Sequence, residues 1–145
     1  MKIQFLAVVL SLATQPVAAQ VELQRAHIEA NVPQSGDFER FLKRDLLAYF
    51  NQSGGSSVTS VEVQPLRVGP TQSGVAYPKF YLWVKALAGT AVQQEGAVRV
   101  AAIRRTRFEV TDFLSVAGIQ AKPSEVGTVF PAALVPAILK RAAAK

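Results

Sequence analysis

Two periodicities take turns along the chain. From Asp37, the residues Phe38, Phe41, Leu42, Leu46, Tyr49 and Phe50 recur at spacings of three and four, with Lys43, Arg44 and Asp45 opposite, which predicts an amphipathic helix over 37–52. Asp37 can accept the first free amides and Gly54-Gly55 can close the far end. Beyond it the stride falls to two. Val58 or Val61, then Val63, Leu66 and Val68 predict a strand, confined to a sheet edge or a bulge because Pro65 has no amide to donate. The turn-rich "GPTQSG" of residues 69–74 then leads into a strand over 76–88. That strand contains "KFYLWVKA", which puts Phe80, Leu82, Val84 and Ala86 on one face and Lys79, Tyr81, Trp83 and Lys85 on the other. Gly89-Thr90 reverses the chain, and residues 91–104 and 106–115 read as two further strands, with neither Gly nor Pro at the turn between them.

The flanks carry weaker patterns. Val21, Leu23 and Arg25 alternate with Glu22, Gln24 and Ala26, which predicts an N-terminal strand over 21–32 ended by Pro33. At the other end Ser124 can cap a helix in which Val126, Phe130, Leu134 and Ile138 recur every four residues. Pro131 and Pro136 must interrupt it, so the expectation is a short turn to Phe130, then a helix that starts at Pro131 and bends near Pro136.

Lys2, the apolar run from Ile3 to Ala13 and the small residues before Gln20 read as a secretory signal peptide cleaved after Ala19. A retained anchor would need about 20 apolar residues, and this run is broken by Ser11, Thr14, Gln15 and Pro16. Lipoprotein processing is excluded, because it needs a Cys and the chain has none. Residues 20–145 are therefore expected to form one exported domain, periplasmic or secreted, with no disulfide and no membrane span after cleavage. Cleavage would leave 15 Lys+Arg against 10 Asp+Glu, scattered along the chain rather than blocked.

Strand, helix, four-strand antiparallel meander, C-terminal helix: this order resembles the cystatin-like superfamily. That superfamily includes cysteine-protease inhibitors and the nuclear-transport-factor-like and ketosteroid-isomerase-like proteins. The resemblance spans about residues 21–116 and rests on element order. It implies an α+β fold in which one long N-terminal helix packs on a twisted antiparallel sheet, with the Pro-bent C-terminal helix added.

Chemistry is sparsely provided. His27 is the sole histidine and has no cysteine to pair with, which excludes Cys-His catalysis, and His27 with Glu29 makes at most two metal ligands. Neither a metal nor a cofactor is expected, since "GPTQSG" lacks the Lys-Ser/Thr of a phosphate loop. Asp112 is the one acid inside a strongly apolar strand. If its parity with Phe108, Val110 and Leu114 faces the helix, it would stand where the cystatin-like isomerases keep a general base, with Tyr77 or Tyr49 as donor; otherwise it lies in solvent or pairs with an arginine of the next strand. For a cystatin-type inhibitor the first hairpin offers Gln72 and Gly74 without the valine between them, and Trp83 is not preceded by Pro. Asn51-Gln52-Ser53 fits a glycosylation acceptor.

The remaining feature is the row Lys79, Tyr81, Trp83 and Lys85. It suits a protein partner or a second copy, the chain's own tail helix, or a stacked base, the last being the least expected in an exported chain. The reading is a non-catalytic binding protein that uses a protein interface or a small apolar pocket. An enzyme using Asp112 and a protease inhibitor using residues 69–74 are the alternatives.

Overall fold

The computed structural model describes residues 16–53 and 57–145. The expected signal-peptide core and Gly54-Gly55 lie outside the described residues. The chain is α+β, with helices α1 (Val17–Asn31) and α2 (Ser35–Ser53) followed by strands β1 (Ser60–Pro65), β2 (Lys79–Ala88), β3 (Ala91–Ile103) and β4 (Arg107–Ser115). Three short helices, α3 (Val116–Ala121), α4 (Val126–Val129) and α5 (Val135–Ala143), make the tail, linked by 3-10 turns at Pro123–Glu125 and Ala132–Leu134.

The strands form one antiparallel meander in the order β1-β2-β3-β4. Helix α2 covers one face with Leu42, Leu46 and Phe50, which meet Leu82, Val84 and Ala86 of β2 and Val98, Val100 and Ala102 of β3. Aromatic rings lock this layer edge to face: Phe38 stands 5.0 Å from Phe80 and from Phe108, and Phe50 stands 5.1 Å from Phe113. The opposite face packs Tyr81, Trp83 and Ala97 against Ile119, Val126, Phe130, Ile138 and Ala142 of the tail. The sheet is thus the middle of three layers, and β2, apolar on both sides, is its centre.

Three expectations are corrected. Residues 21–32 are helical, not a strand. The segment "VAAQVELQRAHIEAN" is rich in Ala, Glu, Gln, Leu and Arg, all strong helix formers, and Val17, Val21 and Leu23 point into solvent, so no buried face imposes a period and propensity decides. Val32 is extended, as the residue before Pro33 must be. In the tail it is Pro136, in the first turn of α5, that starts a helix, while Pro131 precedes a 3-10 turn, so α5 is not bent. Helix α3 was not anticipated; the Ser115 hydroxyl caps it by accepting from Gly118 N–H at 3.0 Å.

Between β3 and β4, Arg104 and Arg105 take φ of 50° and 62°, and Thr106 N–H donates to Ile103 carbonyl at 3.2 Å. This is a primed turn, which matches strand twist but normally calls for Asn-Gly. The end of α1 supplies the compensation: Arg104 N–H donates to Asn31 Oδ1 at 3.1 Å and Arg105 N–H to Asn31 carbonyl at 2.8 Å. Asn31 therefore fastens α1 to the sheet.

Candidate functional site

The row on β2 is inside the protein. Trp83 is 1% exposed and Tyr81 7%, under the tail layer. The Trp83 indole N–H donates to Glu95 Oε1 at 2.9 Å, the Arg141 guanidinium lies 5.0 Å above its ring, and Lys145 Nζ reaches the same Glu95 oxygen at 3.0 Å. Burial, which alone would raise the Glu95 carboxyl, is outweighed by Trp83 and Lys145, so its pKa is lowered. Arg141 also bonds Gln64, and Lys85, Glu62, Gln64 and Arg141 border a polar hollow of about 270 Å3 over the edge of Trp83. Tyr81 and Trp83 accordingly offer little surface to a second copy; the chain's own tail occupies the place expected for a partner.

At the other end of the row, Tyr81 hydroxyl and Thr71 Oγ1 share a hydrogen bond of 2.8 Å, and Tyr81 stands edge to face with Phe130 at 6.0 Å. Lys79 Nζ donates to Tyr77 carbonyl at 2.9 Å; burial first, and the charge of Arg99 second, lower its pKa. Gln72 Nε2 donates to the carbonyls of Gly74 (3.0 Å) and Ala76 (2.7 Å), which folds the 69–78 loop upon itself and leaves Gln72 Oε1 buried without a donor.

Asp112 faces the tail layer rather than α2. Arg99 pairs with Asp112, but the next residue, Val100, pairs with Val110, so Thr111 is an extra residue that reverses the parity of everything after it. Phe113 thereby turns to the α2 face, and Asp112 accepts from Arg99 Nε at 2.8 Å and pairs with Nη2 at 2.5 Å. Tyr49 packs on the α2 face beside Phe113, so the sheet separates it from Asp112. The neighbouring-strand pairing is the one that obtains.

His27 and Glu29 are two apart on a helix and so point in different directions, and no group of three or more metal-binding side chains occurs among the described residues. Asn51 is taken up structurally: its Nδ2 donates to Val58 carbonyl at 3.0 Å and its Oδ1 accepts from Val58 N–H at 2.8 Å. Among the described residues no helix is long and apolar enough to cross a membrane.

A further concavity is announced by no motif. A groove of about 710 Å3 opens between the first half of α2 and the sheet edge, walled by Phe38 and Leu42, by Val63 of β1, by Phe80 and Leu82 of β2, and by residues 66–69. It exists because β1 ends at Pro65, opposite Leu82, while β2 continues to Lys79. The chain stays bonded to β2 through Leu66 N–H and Tyr81 carbonyl, then leaves the sheet and returns at the Thr71–Lys79 bridge, and so leaves the α2-facing side of the β2 start partly uncovered. In the sequence Pro65 marks a sheet edge and carries no sign of the groove beside it. No family model matches the chain, nor does any curated protein or solved structure.

Proposed function

We propose that the chain is an exported, non-catalytic binding protein with a cystatin-like architecture, and that its ligand is a small apolar molecule held between α2 and the sheet edge. The groove carries this reading: its volume lies within the roughly 300–1,000 Å3 of ligand sites, and Phe38, Leu42, Val63, Phe80 and Leu82 form its walls. Export rests on the residues before Gln20. The test is uptake of a naphthylamine dye by the full protein. The expected result is saturable enhancement at one dye per chain, lost in Val63→Glu, which puts a carboxylate on the wall, and reduced in Val68→Glu at the rim. A folded protein that takes up no dye sinks the proposal.

A second reading has one observation in its favour. The 66–78 segment carries Val68 and Val75 at 97% and 90% exposure. Ala102 N–H donates to Pro78 carbonyl, so this segment lies at the same end of the sheet as the Arg104-Arg105 turn and the end of α1. A loop beside the N-terminal segment is what an inhibitor would present to a protease. Inhibition of a papain-type protease, abolished by Val75→Asp with dye uptake intact, would favour this reading over the first.

A further inference from the structure

We infer that the groove selects a single-chain amphiphile with an oxyanion head, the chain lying on the part-exposed Phe38, Val63 and Phe80 and the head held by Arg67. The inference rests on the groove being a ligand site and goes on to say which ligand.

Two formal charges line the groove, Glu39 and Arg67. They are not equivalent. Glu39 has a partner, because Lys43, one turn along α2, bonds it at 2.6 Å and lowers its pKa, although both side chains are in solvent. The Arg67 guanidinium has one long contact, to Gly69 carbonyl at 3.5 Å, so most of its planar fork of donors is available at the mouth. That fork matches the paired oxygens of a carboxylate, phosphate or sulfate. An apolar trough with an uncommitted cation at its mouth is complementary to a chain with an anionic end, whereas for a cationic one it offers only Glu39, which already has Lys43 beside it.

The sheet edge argues against an added peptide strand. Leu66 N–H points inward to Tyr81 carbonyl at 2.9 Å, so Val63 and Pro65 direct their backbone outward, and at Pro65 the outward donor does not exist. A peptide laid along β1 would lose its pairing where the groove begins. An acyl chain needs no such donors and gains from each methylene it buries.

The experiment is displacement of the naphthylamine dye from the full protein by dodecanoate, dodecyl phosphate, dodecanol and dodecyltrimethylammonium, each below its aggregation concentration. Dodecanoate or dodecyl phosphate is expected to bind about tenfold or more tightly than dodecanol, as a charge-assisted fork contact would give, and the ammonium more weakly than either. The two anions separate a carboxylate from a phosphate source. Arg67→Gln, a change at an exposed side chain, should bring the preferred anion down to the level of dodecanol and leave dodecanol unchanged, with Arg67→Lys between. Equal binding of anion and alcohol would overturn the head assignment while leaving the groove as an apolar site. Anion binding that survives Arg67→Gln would likewise overturn it. Failure of all four probes to displace dye overturns the choice of amphiphile, and failure of the dye itself to bind overturns the underlying reading.

Discussion

Replacing Ile138 by Ala tests whether the tail is a structural layer or a loose extension. Ile138 is 0% exposed and packs with Trp83, Tyr81 and Ala97 on the sheet face away from α2. The substitution removes three carbons, each worth about 0.8 kcal/mol of transfer, hence about 2.4 kcal/mol before any void is counted. The void left under the sheet brings the expected loss to about 3–4 kcal/mol, inside the range for buried aliphatic truncations. Urea unfolding followed by far-UV circular dichroism and by the sole tryptophan reads this directly. Leu46→Ala, also at 0% exposure but in the α2 layer, should cost a similar amount. Because the sheet lies between the two sites, the double variant should be additive to within about 0.5 kcal/mol. Native Trp83 should emit in the blue, as a buried indole does. A loss below about 1 kcal/mol for Ile138→Ala, together with native emission typical of indole in water, would refute the covered face.

Three further outcomes follow from single contacts. A Cβ on Gly96 would stand 2.1 Å from Leu114 carbonyl oxygen and 2.9 Å from Phe113 Cε2, so Gly96→Ala should cost about 1–3 kcal/mol or more by chemical denaturation, since a backbone atom is slow to give way. Asn51→Ala breaks both bonds to Val58, leaving its N–H and carbonyl unpaired, and should cost about 1–3 kcal/mol in thermal or urea unfolding; Asn51→Asp keeps the acceptor alone and should fall between. The folded-state pKa of Glu95 lies below its ordinary value of 4.5. Its contribution is therefore complete above that value and is lost as pH falls through the folded pKa. Glu95→Gln should remove this part of the acid-side loss of stability, measured from roughly pH 6 to pH 3.

What could be read from the chain was whatever a buried face had written into it. Helix α2 and strand β2 each turn an unbroken apolar face to a core, so Leu42, Leu46 and Phe50 and then Phe80, Leu82 and Val84 announce both element and orientation. Helix α1 buries little beyond Asn31, and a segment without an inner face carries no period; its alternation of Val21, Leu23 and Arg25 was incidental. Thr111 shows another limit. One inserted residue leaves the composition of a strand unchanged but exchanges its faces, so Asp112 looked as though it shared a side with Val110 while standing opposite it. The tail differs in detail because either of two prolines can open a helix; Pro136 opens α5, whose Ile138 and Ala142 pack in one cluster with Trp83.

The covered face and the open groove have a common origin in the short first strand. A six-residue β1 spans only Leu82 to Leu87 of the ten-residue β2, so the sheet is one strand narrower at the end where α2 begins. On the tail side Phe130 fills the difference by packing on Tyr81. On the α2 side the first turns present Phe38 and Leu42 to Phe80 and Leu82, and among the described residues no further strand lies beside them. Of these walls Leu42 and Leu82 are buried, while Phe38, Val63 and Phe80 keep part of their apolar surface in water, which a ligand would cover. The loop that leaves the sheet after Leu66 carries Arg67, which lines the same groove. Pro65 ends β1 just before Arg67, so the proposed site rests on strand length rather than on any cluster of reactive side chains.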